Sequence, residues 1–135
     1  MSVSKNNEHA ARWLKTAQDD LRAAHALADN GFHAHACFQA QQAAEKAVKA
    51  VWFLDSEDPW GHSVLKLIRQ LENVRPGLLR CVESAADLDR FYIPTRYPDG
   101  LPGLTPDEAY FRKDADVALQ AATEIVTVCE ELLSC

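Results

Sequence analysis

From His33 to Leu54 the chain reads HAHACFQAQQAAEKAVKAVWFL, with no glycine or proline. Ala, Gln, Glu and Lys dominate it, and all favour helix. At about 100° per residue, Ala40, Ala43, Ala44, Ala47, Val51, Cys37, Val48, Trp52 and Phe38 cover more than half of the helical circumference. Gln39, Gln42, Lys46 and Lys49 fill most of the remainder. So wide an apolar arc needs neighbours on several sides, which makes this the central helix of a bundle.

Two polar residues fall inside the apolar arc. Gln41 and Glu45 lie one turn apart, flanked on the wheel by Phe38, Val48 and Trp52. A carboxylate in a core needs a partner, because an uncompensated buried charge costs several kcal/mol. Glu45 therefore either pairs with an arginine and fixes packing or takes part in a site. Both alternatives demand a cationic or hydrogen-bonding group from elsewhere in the chain.

The 135 residues make one domain, 1–135, with residues 1–7 expected as a disordered tail. No stretch is long and apolar enough for a membrane span, and MSVSKNNEHAARW lacks the apolar core of a secretory leader. The cytoplasm is the expected address. The four cysteines are widely spaced, without a CxxC pair, so neither zinc nor a disulfide framework is expected. His33 and His35, two apart, point to different sides of a helix. A net charge of −6 argues against a surface that coats nucleic acid but leaves room for a local basic cleft.

The first helix is expected from about Glu8 to Asp29, on a stripe of Trp13, Ala17, Leu21, Ala24 and Ala28. Asn30-Gly31 ends it, and so short a link returns the central helix antiparallel. Asp55-Ser-Glu-Asp-Pro-Trp-Gly61 breaks the chain. A third helix fits His62 to Asn73, with His62 read as a capping or surface residue. A fourth runs from about Gly77 to Tyr92. The last has an apolar stripe from Ala115 to Leu133 and begins either at the capping box Thr105-Pro-Asp-Glu108 or nearer Lys113. Five helices and no alternating strand pattern give an all-α bundle.

Between the last two helices lies the least regular stretch, with prolines at 94, 98, 102 and 106. Tyr92-Ile-Pro-Thr-Arg96-Tyr97-Pro98-Asp99 packs two phenols, a guanidinium and a carboxylate into eight residues. Arg96 offers a planar fork for a carboxylate or phosphate, and the tyrosines offer flat faces. Either Arg96 pairs with Glu45 and docks the loop on the central helix, or it keeps an edge open for a ligand.

Taken together, FHAHACFQAQQAAEKAVKA, the following HSVLKL, FYIPTRYPD and the Ala-rich last helix resemble the HEPN domain family over about Trp13 to Leu133. The resemblance implies a five-helix up-and-down bundle, usually dimeric. It also implies pairing with a minimal nucleotidyltransferase in toxin–antitoxin-like modules, and nucleotide or RNA binding. Ribonuclease members of the broader family carry Arg, four to six residues, then His. This sequence departs from that: Arg22 is three before His25, and no His follows Arg96.

The expected function is therefore a binding and interaction module, homodimeric, cytoplasmic and without a cofactor beyond a nucleotide ligand. Its ligand or phosphate candidates are Gln41, Glu45, Lys49, Tyr92, Arg96, Tyr97 and Asp99. The alternative is a ribonuclease toxin with a divergent centre drawn from Arg96, Tyr92, His62 or Glu45. Against turnover stands the expectation that no histidine is placed to move protons beside Arg96 and that no carboxylates cluster to hold a catalytic metal.

Overall fold

A computed structural model describes residues 3–55 and 59–134, with side chains described from residue 6. Among the described residues, six α-helices account for the architecture: α1 Val3–Asp29, α2 His33–Leu54, α3 Val64–Leu71, α4 Val82–Asp89, α5 Pro106–Ala109 and α6 Arg112–Ser134. Short 3-10 turns precede α4 (Pro76–Cys81) and follow it (Pro98–Gly100). Among the described residues there is no strand. The bundle is all-α, with α2 at its centre between α1 and α6 and with α3 and α4 closing one side.

α1 begins at Val3, so residues 3–7 extend the helix expected from Glu8; residues 1 and 2 lie outside the described part. It ends as its sequence dictates. Gly31 takes φ +84°, Phe32 N–H reaches Leu27 C=O at 2.9 Å, and Gly31 N–H reaches Ala28 C=O at 3.1 Å. This pair of bonds satisfies carbonyls that the end of the helix leaves open. The tight link turns α2 back along α1, where Ala17, Ala24 and Ala28 meet the alanines of α2. Lys46 of α2 adds a 2.6 Å pair with Asp20 of α1. On the outer face, Lys15 pairs with Asp19 at 2.6 Å.

The helix expected over 77–92 is split. Pro76 starts a tight turn through Cys81, and α4 proper is only Val82–Asp89. The C-terminal helix also resolves into two pieces. Glu108 accepts the Thr105 N–H at 3.0 Å and the Thr105 hydroxyl at 2.9 Å, closing α5 as a single capped turn. Those bonds hold the Glu108 carboxyl below its usual range. The chain bends at Tyr110 before α6.

The three described cysteines, Cys37, Cys81 and Cys129, are buried among these helices as small apolar side chains. Burial pushes the Cys37 thiol up to about 12 and the Cys81 thiol up to about 11, and raises Cys129 as well. Unfolded thiols release their protons near 9.0, so between about pH 9 and pH 12 unfolding sheds protons that the folded chain holds. Stability should therefore fall with rising pH across that window. Urea melts from pH 8 to pH 11 should show a shallower fall for Cys37→Ala than for the wild type; equal slopes would remove the thiol as a cause.

Candidate functional site

The middle of α2, the start of α3 and the segment after α4 converge on one constellation. At its base is Glu45, whose side chain is only 5% exposed. Lys49, one turn along the same helix and 11% exposed, places Nζ 3.0 Å from Glu45 Oε2. Gln41, one turn back, donates to Glu45 Oε1 at 3.3 Å and to the His62 carbonyl at 2.9 Å. Its own amide oxygen accepts from Gln42 at 2.8 Å. The buried charge is thus neutralised largely within α2.

His62 completes the carboxylate's shell. Its Nδ1 lies 3.3 Å from Glu45 Oε1 and 3.4 Å from Oε2. A carboxylate only accepts, so Nδ1 carries the proton and Nε2 keeps its lone pair in the neutral ring. The ring lies nearly parallel to Tyr92, with centroids 5.0 Å apart and planes at 16°. The imidazole nevertheless stays 60% exposed. The backbone that follows is anchored across the fold by Asp89, which accepts the Ser63 hydroxyl at 2.7 Å, the Val64 N–H at 2.7 Å and the Leu65 N–H at 3.2 Å. The cap of α3 is Ser63, which accepts from Lys66 N–H at 3.1 Å; His62 does not cap.

Arg96 packs against the same tyrosine. Its Cζ sits 4.4 Å from the Tyr92 ring centroid, 4.8 Å from that of Tyr97 and 4.9 Å from that of Phe38. Its Nε donates to the Tyr92 carbonyl at 3.3 Å. A cation over aromatic faces gains about 0.5–1 kcal/mol per exposed contact. Next to it, Thr95 is buried with its hydroxyl on the Phe91 carbonyl, which pins the segment to the end of α4.

The expected Glu45–Arg96 ion pair does not form, since Glu45 pairs with Lys49 and His62 while Arg96 meets rings. The reason is local. Lys49 reaches the carboxylate from the same helix without bridging two elements, and the aromatic segment offers the guanidinium three faces. Among the described residues no carboxylate lies within ion-pair distance of Arg96, so the outer edge of its fork has no protein partner. Lys49, assigned to the polar side of the wheel, is instead buried.

The seven sequence candidates divide accordingly. Gln41, Glu45 and Lys49 form the interior network, with their polar atoms engaged with one another, with Gln42 or with His62. Tyr92, Arg96 and Tyr97 form the outward face. Asp99 sits apart in the exposed Pro98–Gly100 turn, in the wall of another hollow with Leu101 and Leu104. Phe38 and Asp89 were not assigned to the site by the sequence, and His62 entered only as a candidate for the alternative ribonuclease centre. Of these, His62 had a usable signal: a histidine just after the Gly61 break, in a chain whose buried Glu45 lacked a partner. Among the described residues, no three His, Cys, Asp or Glu side chains gather where they could hold a metal.

The HEPN domain family matches residues 10–132. The chain belongs to that family. Its fold is also that of solved HEPN proteins. The crystal structure of TT1696 from Thermus thermophilus is 41% identical, with a TM-score of 0.86 over 90% of this chain and 96% of that one. ST0689, an archaeal HEPN homologue, is 33% identical, with a TM-score of 0.77 over 92% and 97%. A HEPN domain protein from Thermotoga maritima, tm0613, is 35% identical, with a TM-score of 0.73 over 91% and 98%. A Methanocaldococcus jannaschii protein named "Putative toxin MJ1304" is 27% identical over 95% of this chain and 90% of its own length.

Glu45→Ala strands the Lys49 ammonium in the core of this HEPN chain and should cost about 3–5 kcal/mol in urea denaturation. The double variant Glu45→Leu, Lys49→Met removes both charges and should recover most of that loss. Equal instability of the single and double variants would show that Lys49 is not what the carboxylate compensates.

Proposed function

We propose that this HEPN chain acts in a toxin–antitoxin-like module, as a homodimer that pairs with a minimal nucleotidyltransferase and engages a nucleotide or RNA phosphate at Arg96. The observation that carries the reading is the guanidinium itself. It is backed by three aromatic rings, has no carboxylate on it among the described residues, and keeps the edge of its fork open. A planar fork with that edge free suits the oxygens of a phosphate. Family membership and the similarity to the M. jannaschii protein support the module.

A second reading, RNA cleavage at a divergent centre, is favoured by His62. Its Nδ1 faces a buried carboxylate, which orients the ring, while the imidazole is 60% exposed. A ring so held, beside the tyrosine on which Arg96 packs, has the makings of a proton acceptor next to an anion clamp.

Calorimetry with nucleotides and short RNAs should give binding to the wild type that falls at least tenfold in Arg96→Ala. Binding that survives the substitution, or none at all, removes the phosphate reading. In the same preparations, RNA cleavage abolished by His62→Ala but with binding retained would favour the second reading over simple binding.

The dimer rests on family resemblance and on large apolar side chains at the surface. Trp52, Phe53 and Phe91 are half-buried, whereas Trp60 is 90% exposed; Phe111 joins it among the exposed rings. Light scattering at tens of micromolar should give a mass twice that of the chain, and Trp60→Ser or Phe111→Ser should lower it. A monomer in the wild type ends the dimer reading.

A further inference from the structure

A cavity of about 460 Å³ opens between α2 and the proline-rich segment, with Arg96 in its wall. Phe38 and Pro106 supply apolar faces, and Thr95 forms part of the lining. Gln39 and Asp107 place an amide and a carboxylate at the same cavity. The volume falls within the ordinary range for small-molecule sites, about 300–1,000 Å³, and the mix of apolar walls with a few polar groups is also usual. The other surface hollows described differ in kind. They are lined by Glu83, Asp87 and Glu124, by Asp99 and Glu108, or by Gln18 and Glu130, with no cation in their walls.

Building on the phosphate reading of Arg96, we infer that this cavity takes the base of one nucleotide whose phosphate lies on the Arg96 fork. Phe38 contacts the guanidinium with its ring, so one aromatic group borders both subsites. A base has a flat face for Phe38 and edge donors and acceptors for the Gln39 amide and the Asp107 carboxylate. The carboxylate repels a phosphate but accepts from base N–H groups, which orients the ligand with its base toward Asp107 and its phosphate toward Arg96.

Charge sets the footprint at a single nucleotide. Arg96 is the one fixed cation among the residues that line the cavity. The nearby Lys49 ammonium is held by Glu45 in the interior. A strand tracked along its backbone needs several cations, and a chain of net charge −6 repels the phosphates beyond the first. The ligand is therefore a free mononucleotide or one unpaired nucleotide of an RNA.

The test uses the intact protein with four probes: inorganic phosphate, ribose 5-phosphate, the nucleoside 5′-monophosphates and a single-stranded RNA pentamer. At least one monophosphate should bind about tenfold more tightly than ribose 5-phosphate, the gain expected of one stacked base. Gln39→Trp, which fills the cavity beside Arg96, should erase that gain; a thermal melt verifies that the variant is folded. Arg96→Ala should weaken all four probes.

Monophosphates that bind no better than ribose 5-phosphate overturn the base site and leave the phosphate reading standing. No Arg96-dependent binding of any probe overturns both. The pentamer distinguishes the two sources. Affinity within a few-fold of the monophosphate, with a salt slope of about −0.7, fits one unpaired nucleotide in the site. Pentamer binding at least tenfold weaker than the monophosphate fits the free nucleotide. A slope of about −2 or steeper means several phosphate contacts and overturns the single-nucleotide footprint.

Discussion

The placement of α3 and of everything after it depends on how the buried carboxylate of Glu45 is satisfied. An Ala-rich helix packed on most sides has little room for a charge, and a lone carboxylate there would cost several kcal/mol. Lys49 cancels the charge from within α2, but its single contact leaves oxygen lone pairs to satisfy. Gln41 and His62 take them. His62 belongs to the next segment, so satisfying Glu45 also fixes where the chain re-enters after the break that follows Leu54. Trp52 repeats the tie one turn past Lys49, donating its indole N–H to Leu67 C=O of α3 at 3.3 Å. Asp89 then fastens the start of α3 to the end of α4 by three hydrogen bonds. Interior polar groups thus set the register of three helices that apolar packing alone would let slide.

The same satisfaction leaves Arg96 available. A guanidinium bound to Glu45 would have its charge offset and its fork occupied. With Lys49 in that role, Arg96 instead lies against Tyr92, Tyr97 and Phe38, faces that hold it in place without neutralising it. A lysine would not serve equally, because the stacking uses the planar, weakly hydrated guanidinium and the open fork requires its spread of N–H donors. Tyr92 links the two halves, touching the His62 ring and the Arg96 guanidinium. It follows Asp89 by three residues, so the anchor of α3 and the platform of the site are one turn apart.

Helix periodicity made α2 legible to the residue, His33–Leu54, and Asn30-Gly31 placed the end of α1 correctly, because both signals are local. The fourth helix was legible only in part. Pro76 and Gly77 suit a helix start by residue type, but the turn they open runs as 3-10 to Cys81 before α4 begins. At the site, the sequence singled out the right two stretches and the wrong bond between them. Residue types made Arg96 the evident partner for Glu45, whereas the geometry of α2 brings Lys49 and the break after it brings His62. A wheel describes where Cβ points; it does not describe where a long, flexible lysine carries its ammonium, and Lys49 bends into the interior. Asp89 could not be found from its own helix, since its partners lie 24 to 26 residues earlier.

Charge bounds what such a surface can meet. At a net charge of −6 the chain repels polyanions at long range, while a single guanidinium acts within a few ångströms and is screened beyond roughly 8 Å at physiological salt. Recognition at Arg96 is then a matter of contact and fit, with little electrostatic steering to bring an anion in. An extended nucleic acid would have to overcome the repulsion along its whole length; a ligand with one or two charges near the fork would not. The same field works the other way for a protein partner. A surface that must lie against this chain gains in encounter rate if it is basic. Such a partner would also supply cations beyond the single fixed one in the lining of the Arg96 cavity, so an RNA too highly charged for this chain alone becomes an admissible ligand of the pair.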